Sequence, residues 1–216
     1  SLQEVCYPGS TLVNDDFSSG VGNWNEYDPD SKITINQRVE YSDWKRYDEG
    51  FVHQTIPAIT DFELNFDFRI TDKWGNAKSA GPCVSDFYGS LSDVGIGNYV
   101  HMAYWAGSGF SRVGIYSVIN GVINSDFNLP ENNVGVTIGQ TYYAQIKKCE
   151  NEIIFNLYTD SILSTHASGS PVIITANFAG TIFTDLYAIN SWVNDSVGNP
   201  EWTSGWVDNI QLTEYT

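Results

Sequence analysis

Residues 61–70 read DFELNFDFRI, and their alternation is strict. Phe62, Leu64, Phe66, Phe68 and Ile70 fall on one side, while Asp61, Glu63, Asn65, Asp67 and Arg69 fall on the other. A period of two with one apolar and one polar edge predicts a half-buried antiparallel strand. The segment EIIFNLYTD at 152–160 repeats the pattern, with Ile153, Phe155 and Leu157 on the core side. Further strands are predicted at 11–17, 33–41, 51–56, 92–96, 99–105, 111–118, 122–129, 141–149, 172–175, 182–192 and 205–214. Gly, Asn, Asp and Pro separate them, as turns require. No stretch of ten residues has the spacing of an amphipathic helix. The prediction is an all-β protein, either a two-sheet sandwich or a barrel, formed as a single domain over 1–216. Segment 71–90 has weak periodicity and many turn residues and is expected to be a long surface loop, with a second at 193–204.

Charge narrows the range of partners. The chain carries 26 acidic and 10 basic side chains, a formal charge of -16. Duplex nucleic acid is excluded, because binding it relies on Lys and Arg displacing condensed counterions. An anionic membrane surface is disfavoured for the same reason, and no apolar run is long enough to insert into a bilayer. Charged residues make up 17% and aromatic residues 14%, which argues against disorder. The opening residues SLQEVCYPGS lack a charged region followed by an apolar one, so no signal peptide is expected within this chain. Cys6, Cys83 and Cys149 permit at most one internal bridge and leave one thiol over. Without a CxxC spacing they do not suggest zinc or a thioredoxin-type redox site. The acidity, the scarcity of Lys and the Asn194-Asp195-Ser196 sequon point to an exported protein, secreted or at the cell surface.

Three segments carry a resemblance: Asp15-Asp16-Phe17, the strand FELNFDFRI, and the closing GWVDNIQL at 205–212. Together they resemble the concanavalin A-like superfamily of lectins, laminin-G-like domains, carbohydrate-binding modules and glucanases. The resemblance implies a jelly roll of two antiparallel sheets whose concave face, in many members, holds a poly- or oligosaccharide. The residues themselves suit such a face. Sugar hydroxyls pair with planar amides, carboxylates and guanidinium groups, and pyranose faces stack on flat rings. Glu63, Asn65, Asp67 and Arg69 supply the first kind. In YVHMAYW, Tyr99, His101, Ala103 and Trp105 share one side, and Arg112 and Tyr116 share one side of the following strand. The expected ligand-binding set is Glu63, Asn65, Asp67, Arg69, Tyr99, Trp105, Arg112 and Trp192. Trp44, Trp74 and Trp202 are further ring platforms. A blander assignment stands beside it: rings in sandwiches pack cores, and a polar row can be an ordinary cross-strand ladder.

The resemblance also implies calcium as a structural ion, with Asp16 and Asp208 at the matching early and closing positions; no DxDxDG loop is present. For catalysis, Glu63-Leu64-Asn65-Phe66-Asp67 resembles the carboxylate-rich strand of laminarinase-type glucanases, with Asn in the middle and the shorter Asp at the end. Retaining hydrolysis needs two carboxyl groups about 5–5.5 Å apart. Two strand positions of equal facing four residues apart are separated by about 13 Å, which disfavours this pair. His53, His101 and His166 show no metal-ligand spacing, and no GxSxG elbow is present. The expectation is a non-catalytic glycan-binding module, one part of a larger adhesin or polysaccharide-degrading enzyme. The alternatives are a glycoside hydrolase or polysaccharide lyase on the same scaffold, and a laminin-G-like adhesion or structural domain without a sugar role.

Overall fold

The computed structural model describes residues 6–79, 81–91, 97–107, 109–126, 129–175, 177, 179–191 and 200–216. Two antiparallel sheets account for its regular structure. The first holds β1 (Pro8–Asp15), β3 (Ile33–Ile35), β4 (Val39–Lys45), β6 (Phe62–Trp74), β13 (Thr141–Cys149), β14 (Glu152–Tyr158), β15 (Val172–Thr175) and β17 (Trp202–Tyr215). Its order is β15-β14-β13-β6-β17-β4-β3, with β1 pairing beyond β4 along the C-terminal half of β17. The second contains β2 (Asn25–Tyr27), β5 (Phe51–Ile59), β7 (Lys78–Ser79), β8 (Gly81–Ser85), β9 (Tyr99–Gly107), β10 (Phe110–Ile119), β11 (Val122–Ser125), β12 (Asn133–Gly135) and β16 (Phe183–Asn190). Its order is β11-β10-β9-β8-β16-β5-β2, with β12 on β10 and β7 on β9. Neighbours far apart in sequence, such as β6 and β17, lie side by side, as in a jelly roll.

Between the sheets lies the main core. Phe62, Leu64, Phe66, Phe68 and Ile70 of β6 are all buried there, with Ile153, Phe155 and Leu157 of β14 and Val100, Met102 and Tyr104 of β9. The alternation in β6 and β14 therefore reports their facing correctly, whereas β9 is buried on both sides. Lys148 is the exception on the core side. It stands opposite Phe62, is wholly buried, and reaches Asp61 Oδ1 at 2.8 Å. A second cluster, Phe51, Cys83, Leu91, Tyr99, Ala103, Tyr116, Val118 and Tyr187, covers the outward face of the second sheet.

Several sequence expectations are corrected. Segment 71–90 is not one long loop: β6 runs on to Trp74, and Gly81–Ser85 is a fully buried central strand between β9 and β16. Buried on both faces and built from Gly, Pro, Cys, Val and Ser, it shows no alternation. Segment 33–41 is not one strand but a hairpin, broken at Gln37, which takes a left-handed φ of 60° without the glycine that usually signals one. Trp44 is a core residue at 2% exposure, not a platform. Cys6 and Cys149 form a disulfide across 143 residues, and Cys83 is the buried free thiol. The expected strand 92–96 and most of the expected loop 193–204 lie outside the described residues.

Candidate functional site

The outward edge of β6 is a continuous polar row, and cross-strand register extends it sideways. Asn65 faces Gln145 of β13 on one side and Gln211 of β17 on the other; Gln145 in turn faces Asn156 of β14, and Gln211 faces Asn14 of β1. Five amides thus cross five strands. Asn156 Nδ2 donates to Gln145 Oε1 at 3.1 Å, Gln145 Nε2 to Asn65 Oδ1 at 3.1 Å, and Asn65 Nδ2 to Glu63 Oε1 at 2.8 Å. Tyr215 Oη donates to the other Glu63 oxygen at 2.6 Å, and Lys147 Nζ stands 3.6 Å from it. Each amide in this chain is held in one orientation by its neighbour, so the remaining donors and acceptors are preorganised for a polar ligand.

A β-bulge completes the centre of this face. Between Asp208 and Gln211 the ladder with β6 slips, and the extra residue is Asn209, with a φ of 51°. Bulges re-aim side chains. This one sends Asn209 Nδ2 to Asp67 Oδ2 at 2.6 Å. Asn14, Glu63, Asn65, Asp67, Tyr143 and Leu163 help line a depression of about 380 Å³ over this spot.

Asp67 and Asp208 face each other across β6 and β17. Burial pushes the Asp67 carboxyl above its ordinary value, against the stabilising bond from Asn209. The Asp208 carboxyl is also raised, by burial first and then by repulsion from Asp67 and Asp16; the Asn209 backbone N–H and the Arg38 charge work the other way. A carboxyl raised in the native state binds more protons there than in the unfolded chain, so this contribution to stability falls as pH climbs from about 4 through the native value. Asp67→Asn removes that cost while keeping an acceptor for Asn209. It is expected to raise the melting temperature by roughly 2–5 °C at pH 7 and to leave it unchanged near pH 3. Differential scanning calorimetry of both proteins at the two pH values checks this.

The rest of the expected ligand set is dispersed. Arg69 shares the face, opposite Trp206 and Thr141, outside the central depression; its Nε is buried with no hydrogen-bond partner among the described residues. Tyr99, Trp105 and Arg112 sit on the outward face of the second sheet, with the whole core between them and Asp67. Tyr99 is 2% exposed, stacked on Tyr116 and edge-on to Phe87. Arg112 lies over Trp105 at 4.4 Å and over Phe110 at 4.3 Å. Trp192 lies outside the described residues. The two groups cannot touch one small ligand together. Sequence reasoning did not find Tyr143, Gln145, Asn156, Asn209 and Gln211, which reach this face through register and a bulge.

For calcium, the Asp16 carboxylate repels that of Asp208 and adds a smaller push to the rise that burial gives the Asp208 carboxyl. One oxygen of each is already engaged, Asp16 by the Ser18 backbone N–H at 3.0 Å and Asp208 by that of Asn209 at 2.8 Å. Among the described residues no three His, Cys, Asp or Glu side chains converge to hold a metal, and calcium takes six to eight oxygens. The side chains present do not by themselves make such a cage.

No family model matches the chain, and no curated protein sequence matches it. Solved structures do. It is similar to the GH43 protein BlXynB of Bacillus licheniformis at 10% identity and a TM-score of 0.60, over 94% of this chain and 39% of that one. It is similar to the VIP36 exoplasmic/lumenal domain in its Ca2+/Man3GlcNAc-bound form at 11% identity and a TM-score of 0.56, over 97% and 90%. A Bacillus subtilis protein of unknown function with a galectin-like fold matches at 11% identity and a TM-score of 0.55, over 98% and 99%. At such identities the likeness speaks for architecture alone: the chain has the two-sheet jelly-roll fold that these structures share.

Proposed function

We propose that the protein is an exported carbohydrate-binding module whose outward first-sheet face holds a glycan through Glu63, Asn65 and Asp67. The observation that carries this is the depression over Asp67, where an amide and carboxylate row, fixed by its own hydrogen bonds and by the Asn209 bulge, meets the ring of Tyr143. Export is supported by the Cys6–Cys149 disulfide, which persists in oxidising compartments. A place beside other domains is supported by the match to about two fifths of BlXynB. The test is retention on affinity gels containing xylan, laminarin, glucomannan, arabinan or pectin. The native protein is expected to be slowed by at least one of them, and Asp67→Asn to lose that retention with its melting temperature maintained or raised. Equal retention of the two proteins, or none by the native one, overturns the reading.

Calcium at Asp16 and Asp208 is a secondary part of the proposal, supported by the proximity of their charges. The ion would draw its remaining oxygens from backbone carbonyls and water. Since an ion bound only by the native state stabilises it by mass action, the melting temperature is expected to fall in chelator. An unchanged melting curve removes calcium from the account.

One observation favours a hydrolase on the same face. Asp67 and Asp208 are directly opposed on neighbouring strands, and hydrolysis of glycosides uses two carboxyl groups that flank the scissile bond. Release of reducing ends from the retained polymer would favour this reading over simple binding.

A further inference from the structure

The central depression is one of three along β6. Glu63 lines it and also a second depression, of about 180 Å³, shared with Lys147, Ile154, Tyr215 and the Cys6–Cys149 bridge. A third, of about 250 Å³, lies at the other end and is lined by Thr71, Arg38, Ser204, Gly205 and Trp206. Its floor requires glycine: a Cβ on Gly205 would lie 2.5 Å from the Arg69 carbonyl oxygen and from Tyr41 Oη. Arg69 stands between the central and third depressions, opposite Trp206 and with its Nε unpaired among the described residues.

Glu63, Asn65, Asp67, Arg69 and Thr71 therefore form one line through all three hollows. At about 3.3–3.4 Å per residue it extends roughly 27 Å. Rings recur along it: Tyr215 bonded to Glu63, Tyr143 opposite Asp67, and Trp206 opposite Arg69, one face of its indole carrying the Arg38 guanidinium at 4.9 Å. Polar groups between successive rings match a chain of linked pyranoses, each offering hydroxyls at its rim and an apolar face. A single terminal sugar would need one hollow only.

We infer that the ligand is an extended, unbranched stretch of polysaccharide lying along β6 and touching all three depressions. This rests on the glycan-binding reading above and adds the length and direction of the ligand. The experiment titrates the native protein, by isothermal calorimetry, with fragments of two to six units cut from whichever polymer the affinity gels retain. Affinity is expected to rise at least tenfold from two units to five or six. Two variants at opposite ends, Trp206→Ala and Lys147→Ala, are each expected to weaken the six-unit fragment at least threefold while leaving the two-unit fragment unchanged; melting curves confirm that both are folded. Equal affinity for short and long fragments, or losses that do not depend on fragment length, overturn the extended ligand and leave the binding reading standing. If no polymer is retained, the binding reading itself fails and this inference falls with it.

Discussion

Asp61→Ala is expected to destabilise the protein by about 3–5 kcal/mol, the usual loss when one partner of a buried ion pair is removed. Lys148 is wholly buried on the core side of β13, and its ammonium bonds Asp61 Oδ1 at 2.8 Å. The same oxygen accepts the Glu150 backbone N–H at 2.8 Å. Without the carboxylate, a charged group is left against the core with nothing to replace its hydration. In a chain of this size the melting temperature should drop by roughly 10 °C. Replacing both partners, as Asp61→Ala with Lys148→Met, should recover most of the loss, because an apolar side chain of similar length suits the site. Urea denaturation of the two variants measures both effects. A loss below about 1 kcal/mol in the single variant would mean that Lys148 finds water or another acceptor.

The second large effect concerns the Cys6–Cys149 bridge. It closes a loop with a sequence separation of 143 and ties the start of β1 to the end of β13, across β6 and β17. For a loop of that length the chain-entropy relation gives about 5 kcal/mol, and losing a native bridge commonly costs about 2–5 kcal/mol. Cys6→Ser with Cys149→Ser should therefore lower the melting temperature by roughly 5–15 °C. The native protein in reductant should match the double variant, since Cys83 is buried apart from the bridge. An unchanged melting temperature in both would show that the first sheet is held without it.

What could be read from the sequence follows from which contacts are local. The facing of β6 and β14 was legible because each has one core side and one different side, which writes a period of two into the chain; β9, buried on both sides, did not declare which side faces the other sheet. Gly81–Ser85 was not legible, since a short strand buried on both faces carries no such pattern. The polar row of the candidate site was visible on β6 alone. Its extension through Gln145, Asn156 and Gln211 depends on long-range register, and the aim of Asn209 depends on a bulge that breaks the alternation. Tyr99, Trp105 and Arg112 looked like companions of Asp67 because single strands do not reveal which sheet they join. Trp44 was misplaced for the same reason: it fills the core, while Trp206, on the outward face, is half-buried under the Arg38 guanidinium at 4.9 Å.

The central claim is that the outward face of the first sheet is where the glycan sits. Backbone amide chemical-shift mapping with a fragment of the retained polymer tests it most directly. The account predicts shifts concentrated on residues 63–71 of β6 and their partners in β13 and β17, with β9 and β10 unmoved. Shifts concentrated around Trp105 and Arg112, or none anywhere, would contradict it.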